Sequence, residues 1–501
     1  MRSLKKRMKQ LVLGIVVIMF WLLVWQILAE KIDSKIFLPT PSDTWKALVL
    51  LSKRALFWET ILGSFIRIVK GFLYAVVCGV VLAVFSAFLK GIRLLLAPLM
   101  KLLKAIPVAS FIILVLLWVD SENLSVLISF ITVLPVIYIN VLQAFEQVDK
   151  NMLEMAKVFR MPFSRKLRFL YIPCILPGFT AACKIGLGFC FKSGIAAEVI
   201  GLPAKSIGGE LYKSKLYLMT DELFAWTIVI ILLSVFFEGI CIYILNKLSS
   251  VSNRIHKMAE HKTDAEKQEN SNLREKKEKQ ENSNLGEKKQ EDTRLKKENE
   301  EQTDSKDFEV CLKNINKSFG KQKVLEQVNI CVKSGKPKCI MGASGQGKTT
   351  LLRILMGMLK LDEGMVMIPD GKRMAVVFQE DRLIEEATVY ANLYAVLGSA
   401  FDYKVAEAHL KMTGLEEVGE KVVRELSGGM KRRVAIVRAV LTQPDILILD
   451  EAFKGLDSEN RDMVIRYIRK FCGEKVILMV SHDELEAEKM GADIMVLERS
   501  V

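Results

Sequence analysis

No Cys-x-x-Cys pair occurs among the nine cysteines of this 501-residue chain, and none of its four histidines stands beside a cysteine at metal-ligand spacing. A zinc ribbon or a thioredoxin-type dithiol is therefore not encoded. Cys78, Cys174, Cys183, Cys190, Cys241, Cys311, Cys331, Cys339 and Cys472 read as small buried apolar residues of a reducing compartment. Nucleic-acid recognition motifs are also missing, although the net charge of +14 would suit such a partner. The whole excess sits in residues 1–250, which hold 28 Lys and Arg against 14 Asp and Glu, while the remainder is near balance. No nucleic-acid partner is expected.

The chain is too long for one compact core. Hydrophobic residues make up 51% and mean hydropathy is +0.26, yet charged residues still reach 26%, so an apolar portion is joined to a soluble one. Membrane spans are expected near residues 11–29, 71–89, 105–119, 124–144, 174–200 and 223–246. The first apolar run also admits a signal-peptide reading, but Leu11 to Ala29 is long enough to span and more spans follow. Arg2, Lys5, Lys6, Arg7 and Lys9 precede it and place the N-terminus inside. Six crossings return the chain to that side, so the C-terminal half is expected to be cytoplasmic. Lys184, Lys192 and Glu198 in the fifth span and Glu238 in the sixth are costly there. Lys192 and Glu198 are candidates for a substrate path, with an intramembrane ion pair or snorkelling as the alternative.

Residues 251–306 lack large apolar side chains and repeat EKQENSNLREKK (266–277) as EKQENSNLGEKK (278–289). Such a segment cannot bury enough surface to fold alone. As a flexible coil it spans roughly 40 Å, which makes it a solvated linker.

Residues 307–501 carry the chemistry. A strand-like run, Lys338 to Met341, leads into Gly342, Ala343, Ser344, Gly345, Gln346, Gly347, Lys348, Thr349 and Thr350, and a helical pattern follows. Glycines there let amides face phosphates, Lys348 reaches the terminal phosphates and Thr349 ligates Mg²⁺. Leu447-Ile448-Leu449-Asp450-Glu451 is an apolar strand ending in two carboxylates. With Leu426-Ser427-Gly428-Gly429-Met430, Gln379 in Val-Phe-Gln, Gly455-Leu456-Asp457 and His482 in Val-Ser-His-Asp, this half resembles the nucleotide-binding domain of ABC transporters. The resemblance implies ATP and Mg²⁺ as cofactors. Asp450, Gln379 and Thr349 are the metal ligands it implies, and Glu451 polarises the attacking water with Lys348, Gln379 and His482 as catalytic partners. Phe319 is the expected adenine-stacking aromatic. Ser427, Gly428, Gly429 and Asp457 contribute to nucleotide held by a second copy, so a homodimer is expected. Met430 replaces the usual Gln.

Residues 151–173, NMLEMAKVFRMPFSRKLRFLYIP, form a basic run between two apolar segments. Glu154-Met155-Ala156 and Leu170-Tyr171-Ile172-Pro173 resemble the coupling loop of binding-protein-dependent ABC importer permeases, with Glu154 and Ala156 at its motif positions. Arg160 stands where that family has Gly. Phe37-Leu38-Pro39-Thr40-Pro41-Ser42, and Ala197-Glu198 followed by Gly201, resemble the nitrate/sulfonate/taurine permease group, over roughly residues 10–248.

The expected architecture is multidomain. An all-α six-helix transmembrane domain (1–250) is followed by the linker (251–306) and an α/β P-loop ABC ATPase (307–501). The resemblance implies ATP-driven import of a small solute across a prokaryotic cell membrane. No external loop is large enough to bind that solute, so a separate extracellular binding protein is implied beside the second copy and membrane lipid. An ABC exporter half-transporter is the rival favoured by the fused layout and opposed by cytoplasmic loops of about 25 residues or fewer, too short for exporter-type extensions. A membrane ATPase that transmits force without moving a solute is the other.

Overall fold

The computed structural model describes residues 2–32, 34, 36–245, 247, 308–343 and 345–497. The linker and Ser344 lie outside the described residues. Two compact units emerge, Met1–Gln147 with Pro173–Val251, and Val148–Ile172 with Ser252–Val501. The basic run of residues 151–173 thus belongs, up to Ile172, with the ATPase half of the sequence.

The first unit is helical: α1 (Arg2–Ile32), α2 (Pro41–Ser52), α3 (Ala55–Phe88), α4 (Lys90–Ala105), α5 (Val108–Val115) and α6 (Ser121–Glu146) precede the basic run. After it come α9 (Ile172–Gly201), α10 (Ile207–Leu216) and α11 (Thr220–Leu245). Thr40 caps α2 by accepting from the Asp43 amide, and Pro41 takes the first helical position. Among the described residues four helices, beginning at Ala55, Ser121, Phe163 and Thr220, are long and apolar enough to cross a membrane, and α4 with α5 makes a fifth if the bent pair is one span.

That break has a visible cause. Pro107 disfavours helical geometry at Ile106, which is extended (φ −70°, ψ 127°), and the chain turns by 104° between α4 and α5. The third expected span therefore keeps only Val108–Val115 as helix. The second expected span, residues 71–89, lies almost wholly inside α3, whose helix starts at Ala55 and takes in Arg67 beside Glu122 and Glu198.

Close packing of α3 on α6 follows from two glycines. A Cβ at Gly71 would lie 2.4 Å from the Val126 carbonyl, and one at Gly79 would lie 2.9 Å from Ile137. Only small residues permit such an approach. Ile68, Phe72, Ala75, Val133, Ile137, Leu187 and Phe191 fill the core beside them. Buried hydroxyls spend their protons on helix carbonyls: Ser125 donates to Gly194 at 3.1 Å and Ser129 to Cys190 at 3.3 Å.

The second unit holds α7 (Lys150–Val158), the short helix α8 (Phe163–Lys166) and the ATPase elements. Strands β1 (Glu309–Phe319), β2 (Gln322–Lys333) and β4 (Glu363–Met367) make an antiparallel sheet in the order β2-β1-β4. Strands β5 (Met374–Val377), β6 (Ile446–Asp450), β7 (Val476–Val480), β3 (Lys338–Met341) and β8 (Asp493–Val496) make a parallel sheet in that order. Every residue of β6 and β7 is buried, as helices on both faces require. The helices are α12 (Lys348–Leu355), α13 (Val389–Leu397), α14 (Tyr403–Met412), α15 (Gly428–Leu441), α16 (Ser458–Cys472) and α17 (Glu484–Met490).

One expectation about the cysteines fails. Cys311 and Cys331 are direct cross-strand partners on β1 and β2, with Cα atoms 4.2 Å apart, and are joined as a disulfide. Twenty residues separate them in sequence, and only the hairpin register brings them together. The other seven are free thiols, Cys183, Cys190, Cys339 and Cys472 among them buried.

Candidate functional site

The loop between β3 and α12 takes its shape from glycine. Gly342, Gly345 and Gly347 all have positive φ (147°, 85° and 90°), a region other residues rarely enter. A Cβ at Gly342 would also meet the Gln346 side chain at 2.2 Å. Lys348 opens α12 and is buried. Its Nζ donates to the carbonyls of Gly342 at 2.6 Å and Ala343 at 2.9 Å, so the ammonium is held across the mouth of the loop. Thr349 and Thr350 follow on the first turn.

Asp450 ends β6 and is buried. Burial first, then the neighbouring Glu451 charge, pushes its carboxyl up to about 6, against the opposing pull of Arg382, Arg432 and Lys348. Glu451 leaves the strand with φ 46°, a left-handed conformation that throws its side chain toward the loop residues. Three groups converge on it. Gln379 donates through Nε2 at 3.3 Å, Lys454 through Nζ at 3.1 Å, and His482 Nε2 lies 3.4 Å from the other carboxylate oxygen. Gln379, Glu451 and His482, far apart in sequence, thus meet in one cluster at the ends of strands β5, β6 and β7.

The other nucleotide-motif residues stand apart from that cluster. Ser427 caps α15, its Oγ accepting from the Met430 amide at 3.3 Å, and Ser427 and Gly428 are exposed with Gly429 beside them. Asp457 caps α16 by accepting from the Asn460 amide at 2.8 Å, and the amide and side chain of Asn460 hold its carboxyl below the usual range. Phe319, at the end of β1, is 51% exposed, with Lys317 Nζ 5.6 Å from its ring.

The basic run docks on the ATPase elements of its own unit. Asp149 caps α7. The Glu154 carboxylate lies between two arginines, pairing with Arg353 of α12 and with Arg382 Nη1 at 3.0 Å. Asn151 Nδ2 donates to Glu380 at 2.9 Å, Lys157 Nζ to the Gly357 carbonyl at 2.8 Å, and Arg165 Nη1 to the Ala395 carbonyl at 3.1 Å. Ala156 is fully buried, which explains the small residue there. Arg160 adopts φ 48°, the conformation glycine would supply. The Met161 amide closes on Ala156 at 2.9 Å and the Arg160 amide on Lys157 at 3.1 Å, a Schellman ending built without glycine. Asn151, Glu154 and Arg353 share with Thr349, Gln379 and Asp450 the wall of a single cavity of about 130 Å³.

Three further arginines, with no motif of their own, brace this site. Arg432 donates to the Phe378 carbonyl at 2.6 Å and pairs with Asp381 at 3.1 Å. Arg438 is buried, donates to the Arg382 carbonyl at 2.6 Å and the Asp381 carbonyl at 3.0 Å, and lies 5.4 Å from the Phe159 ring. Arg382 itself, at φ 47°, lies 3.8 Å over the ring of Phe378. Arg432 and Arg438 lie on α15 and Arg382 in the segment between β5 and α13, and nothing in the sequence marked any of them.

In the first unit, Glu198 is fully buried and satisfied. It accepts from Ser64 Oγ at 2.6 Å, Arg67 Nε at 3.1 Å and the Gly208 amide at 3.3 Å, and Arg67 also pairs with Glu122 at 3.2 Å. Lys192 is exposed on the same helix and takes no part in that network.

Residues 325–454 match the family described as ABC transporter, and residues 75–254 the family described as binding-protein-dependent transport system inner membrane component. Among similar proteins, an aliphatic sulfonates import ATP-binding protein of Nocardia farcinica is 36% identical over 38% of this chain and 78% of its own length. A probable sulfate/thiosulfate import ATP-binding protein of Chlorella vulgaris is 32% identical over 38% of this chain and 87% of its own. A methionine import ATP-binding protein of Clostridium tetani is 35% identical over 36% of this chain, which spans 62% of that relative's length.

Proposed function

The chain belongs to the ABC transporter family and carries a binding-protein-dependent inner membrane component in the same polypeptide, and on that premise we propose that it couples ATP hydrolysis to import of a small solute. One observation carries the coupling: Glu154 stands on the wall of the cavity that Thr349, Gln379 and Asp450 also line, clamped by Arg353 from the helix that follows the phosphate loop. A change at the phosphate loop therefore reaches the docked run through one helix and one ion pair.

The donors in that cavity fit Mg²⁺. A hydroxyl, a carboxylate and an amide oxygen are hard ligands of the kind this cation takes, so Thr349, Asp450 and Gln379 would hold it. Bound there, the ion neutralises charge on the phosphates. Glu451 polarises the attacking water while Gln379, Lys454 and His482 fix its carboxylate. Lys348, released from its loop carbonyls, pairs with phosphate oxygens.

Ser427 and Gly428 begin α15 exposed, with helix amides turned outward. A second copy facing them supplies the phosphate they recognise, so the working unit is a homodimer. The N-terminus, linker and ATPase lie in the cytoplasm of a prokaryote, and an extracellular binding protein delivers the solute. Relatives named for sulfate, sulfonates and methionine support a small solute.

The test is flux in proteoliposomes made with the full chain and the binding protein that copurifies with it. ATP-dependent inward movement of that protein's ligand is expected. Outward movement, or ATP hydrolysis with no movement, overturns the import reading.

A further inference from the structure

We infer that Cys311 and Cys331 form a thiol–disulfide exchange site, with small disulfides and thiols as its reactants, whose oxidation state sets how tightly the ATPase elements hold nucleotide. The inference rests on reading this unit as an ATPase. The pair lies directly opposite on β1 and β2 and closes a loop at a sequence separation of 20. In the reducing cytoplasm proposed for this unit, disulfides are transient and serve catalysis or sensing rather than permanent support.

Two nucleotide contacts hang on the closed loop. Phe319 ends β1, exposed beside the turn of the hairpin. Val324 and Leu325 of β2 press on the phosphate loop, because a Cβ at Gly347 would lie 2.8 Å from Leu325 Cδ2 and 3.0 Å from Val324 Cγ1. The ladder that positions both is irregular. Residues 309–312 pair with 333–330 in regular register, but the register then shifts three times before Ser318, and Asn314 and Gln327 take positive φ (50° and 47°). Each bulge interrupts the ladder locally. The regular pairs therefore hold the register for everything beyond them, and the disulfide makes one of those pairs covalent.

The surroundings of the pair suit the reduced state as well as the oxidised one. Glu309 and Cys311, two residues apart on a strand, share a face. The Cys311 sulfur lies 2.8 Å from Glu309 Oε1, close for a carboxylate facing a sulfur without a proton. In the dithiol form the same contact is a hydrogen bond, with the thiol donating to the carboxylate. Lys333 Nζ, 3.8 Å from the other Glu309 oxygen, holds that carboxylate across the strand pair.

Access is one-sided, since Cys311 is buried and Cys331 half-buried. An incoming disulfide, R–S–S–R, meets Cys331 first. The Cys331 thiolate attacks one sulfur, a mixed disulfide forms and the first thiolate leaves to be protonated as RSH. Cys311, losing its proton, then attacks the Cys331 sulfur and expels the second RSH. Two protein thiols are oxidised and one R–S–S–R is reduced to two RSH. Excess RSH reverses both steps and returns the proton to Cys311 beside Glu309. With the staple open the bulged hairpin gains freedom, and nucleotide affinity falls by the fraction of time the hairpin is in place.

The test uses the full chain in nanodiscs, equilibrated with oxidised or with excess reduced glutathione and titrated with a fluorescent ADP analogue and Mg²⁺, which binds without turnover. Alkylation followed by peptide mass spectrometry reports the free thiols at positions 311 and 331. The oxidised protein should bind about fivefold more tightly, the loss expected when an unstapled hairpin is in place a minor part of the time. Cys331→Ser should bind like the reduced protein in both buffers, which separates this pair from the other thiols, and Cys331→Ala replaces it if serine disturbs the sheet.

Equal affinity in the two states overturns the inference. A pair that stays fully oxidised in excess reduced glutathione also overturns it, by making the disulfide structural. So does a reduced pair that copurifies with zinc, since Glu309, Cys311 and Cys331 offer ligand atoms within 4.8 Å of one another. Absence of nucleotide binding in both states would instead remove the ATPase reading on which the inference rests.

Discussion

Arg382 donates to the Glu154 carboxylate at 3.0 Å, and the same guanidinium lowers the proton affinity of Asp450 on the other side of the cavity. One side chain thereby bears on both the docked run and the carboxylate that ends β6. Glu154→Gln and Arg382→Met should each reduce ATP-dependent uptake at least about tenfold, equivalent to roughly 1.4 kcal/mol of lost coupling, while hydrolysis by the detergent-solubilised protein stays within about twofold. The double variant should lose less than the sum of the two single ones, since both remove the pair that Glu154 makes with Arg382. Additive losses would show that the two residues act independently.

Glu451→Gln should lower hydrolysis by about a thousandfold, within the range typical of general-base removal, while ATP still binds. Retained ATP should hold the dimer closed, which sedimentation in the presence of ATP will detect. Normal turnover by this variant would remove Glu451 from its assigned role.

Asp450 gives a pH prediction with a definite sign. Burial raises its folded-state pKa from 3.8 to about 6, so in metal-free protein its ionisation opposes folding: stability falls as pH rises from about 4 through about 6, then levels off. Asp450→Asn should therefore stabilise the metal-free protein at pH 8 by an amount on the order of 1–2 kcal/mol after allowance for relaxation, read as a raised melting temperature. At subsaturating Mg²⁺ the wild-type ATPase should lose rate below about pH 6 as the carboxyl protonates. A flat profile between pH 5 and 8 would indicate that Asp450 stays ionised throughout.

Arg160 holds a left-handed conformation that glycine tolerates better, at a cost of about 1 kcal/mol. Arg160→Gly should keep the Schellman ending but lose the bond from Arg160 Nη2 to the Lys372 carbonyl, 3.1 Å long. Its net effect on melting temperature should be small. Arg160→Val should be clearly destabilising and should uncouple hydrolysis from uptake. Equal behaviour of the two would mean that this turn does not position Glu154.

The phosphate loop, the Asp450-Glu451 pair, Gln379 and His482 were legible because their chemistry demands particular residues at fixed spacing. Arg353, Arg432 and Arg438 were not, because an arginine on an amphipathic helix gives no sign of whether it meets solvent or a carbonyl, and Arg382 sits in an irregular segment where no periodicity applies. Hydropathy did not show that the helix of the second span reaches back to Ala55 for a related reason: Arg67 counts as a breaker until Glu198 and Glu122 are seen to neutralise it. The α4–α5 break was visible in principle at Ile106-Pro107. Cys311 and Cys331 required the hairpin register, and composition alone argued against pairing them. Glu198, read from sequence as a path residue, is fully occupied by Ser64, Arg67 and Gly208, whereas Lys192 borders an open face.

The backbone of α3 meets that of α6 at Gly71 and Gly79, where one added carbon would collide, so the two helices are fitted to each other as a unit. An opening of the membrane half to one side or the other is then most easily taken up at a joint, and Ile106-Pro107, where the chain turns by 104°, is a joint already bent.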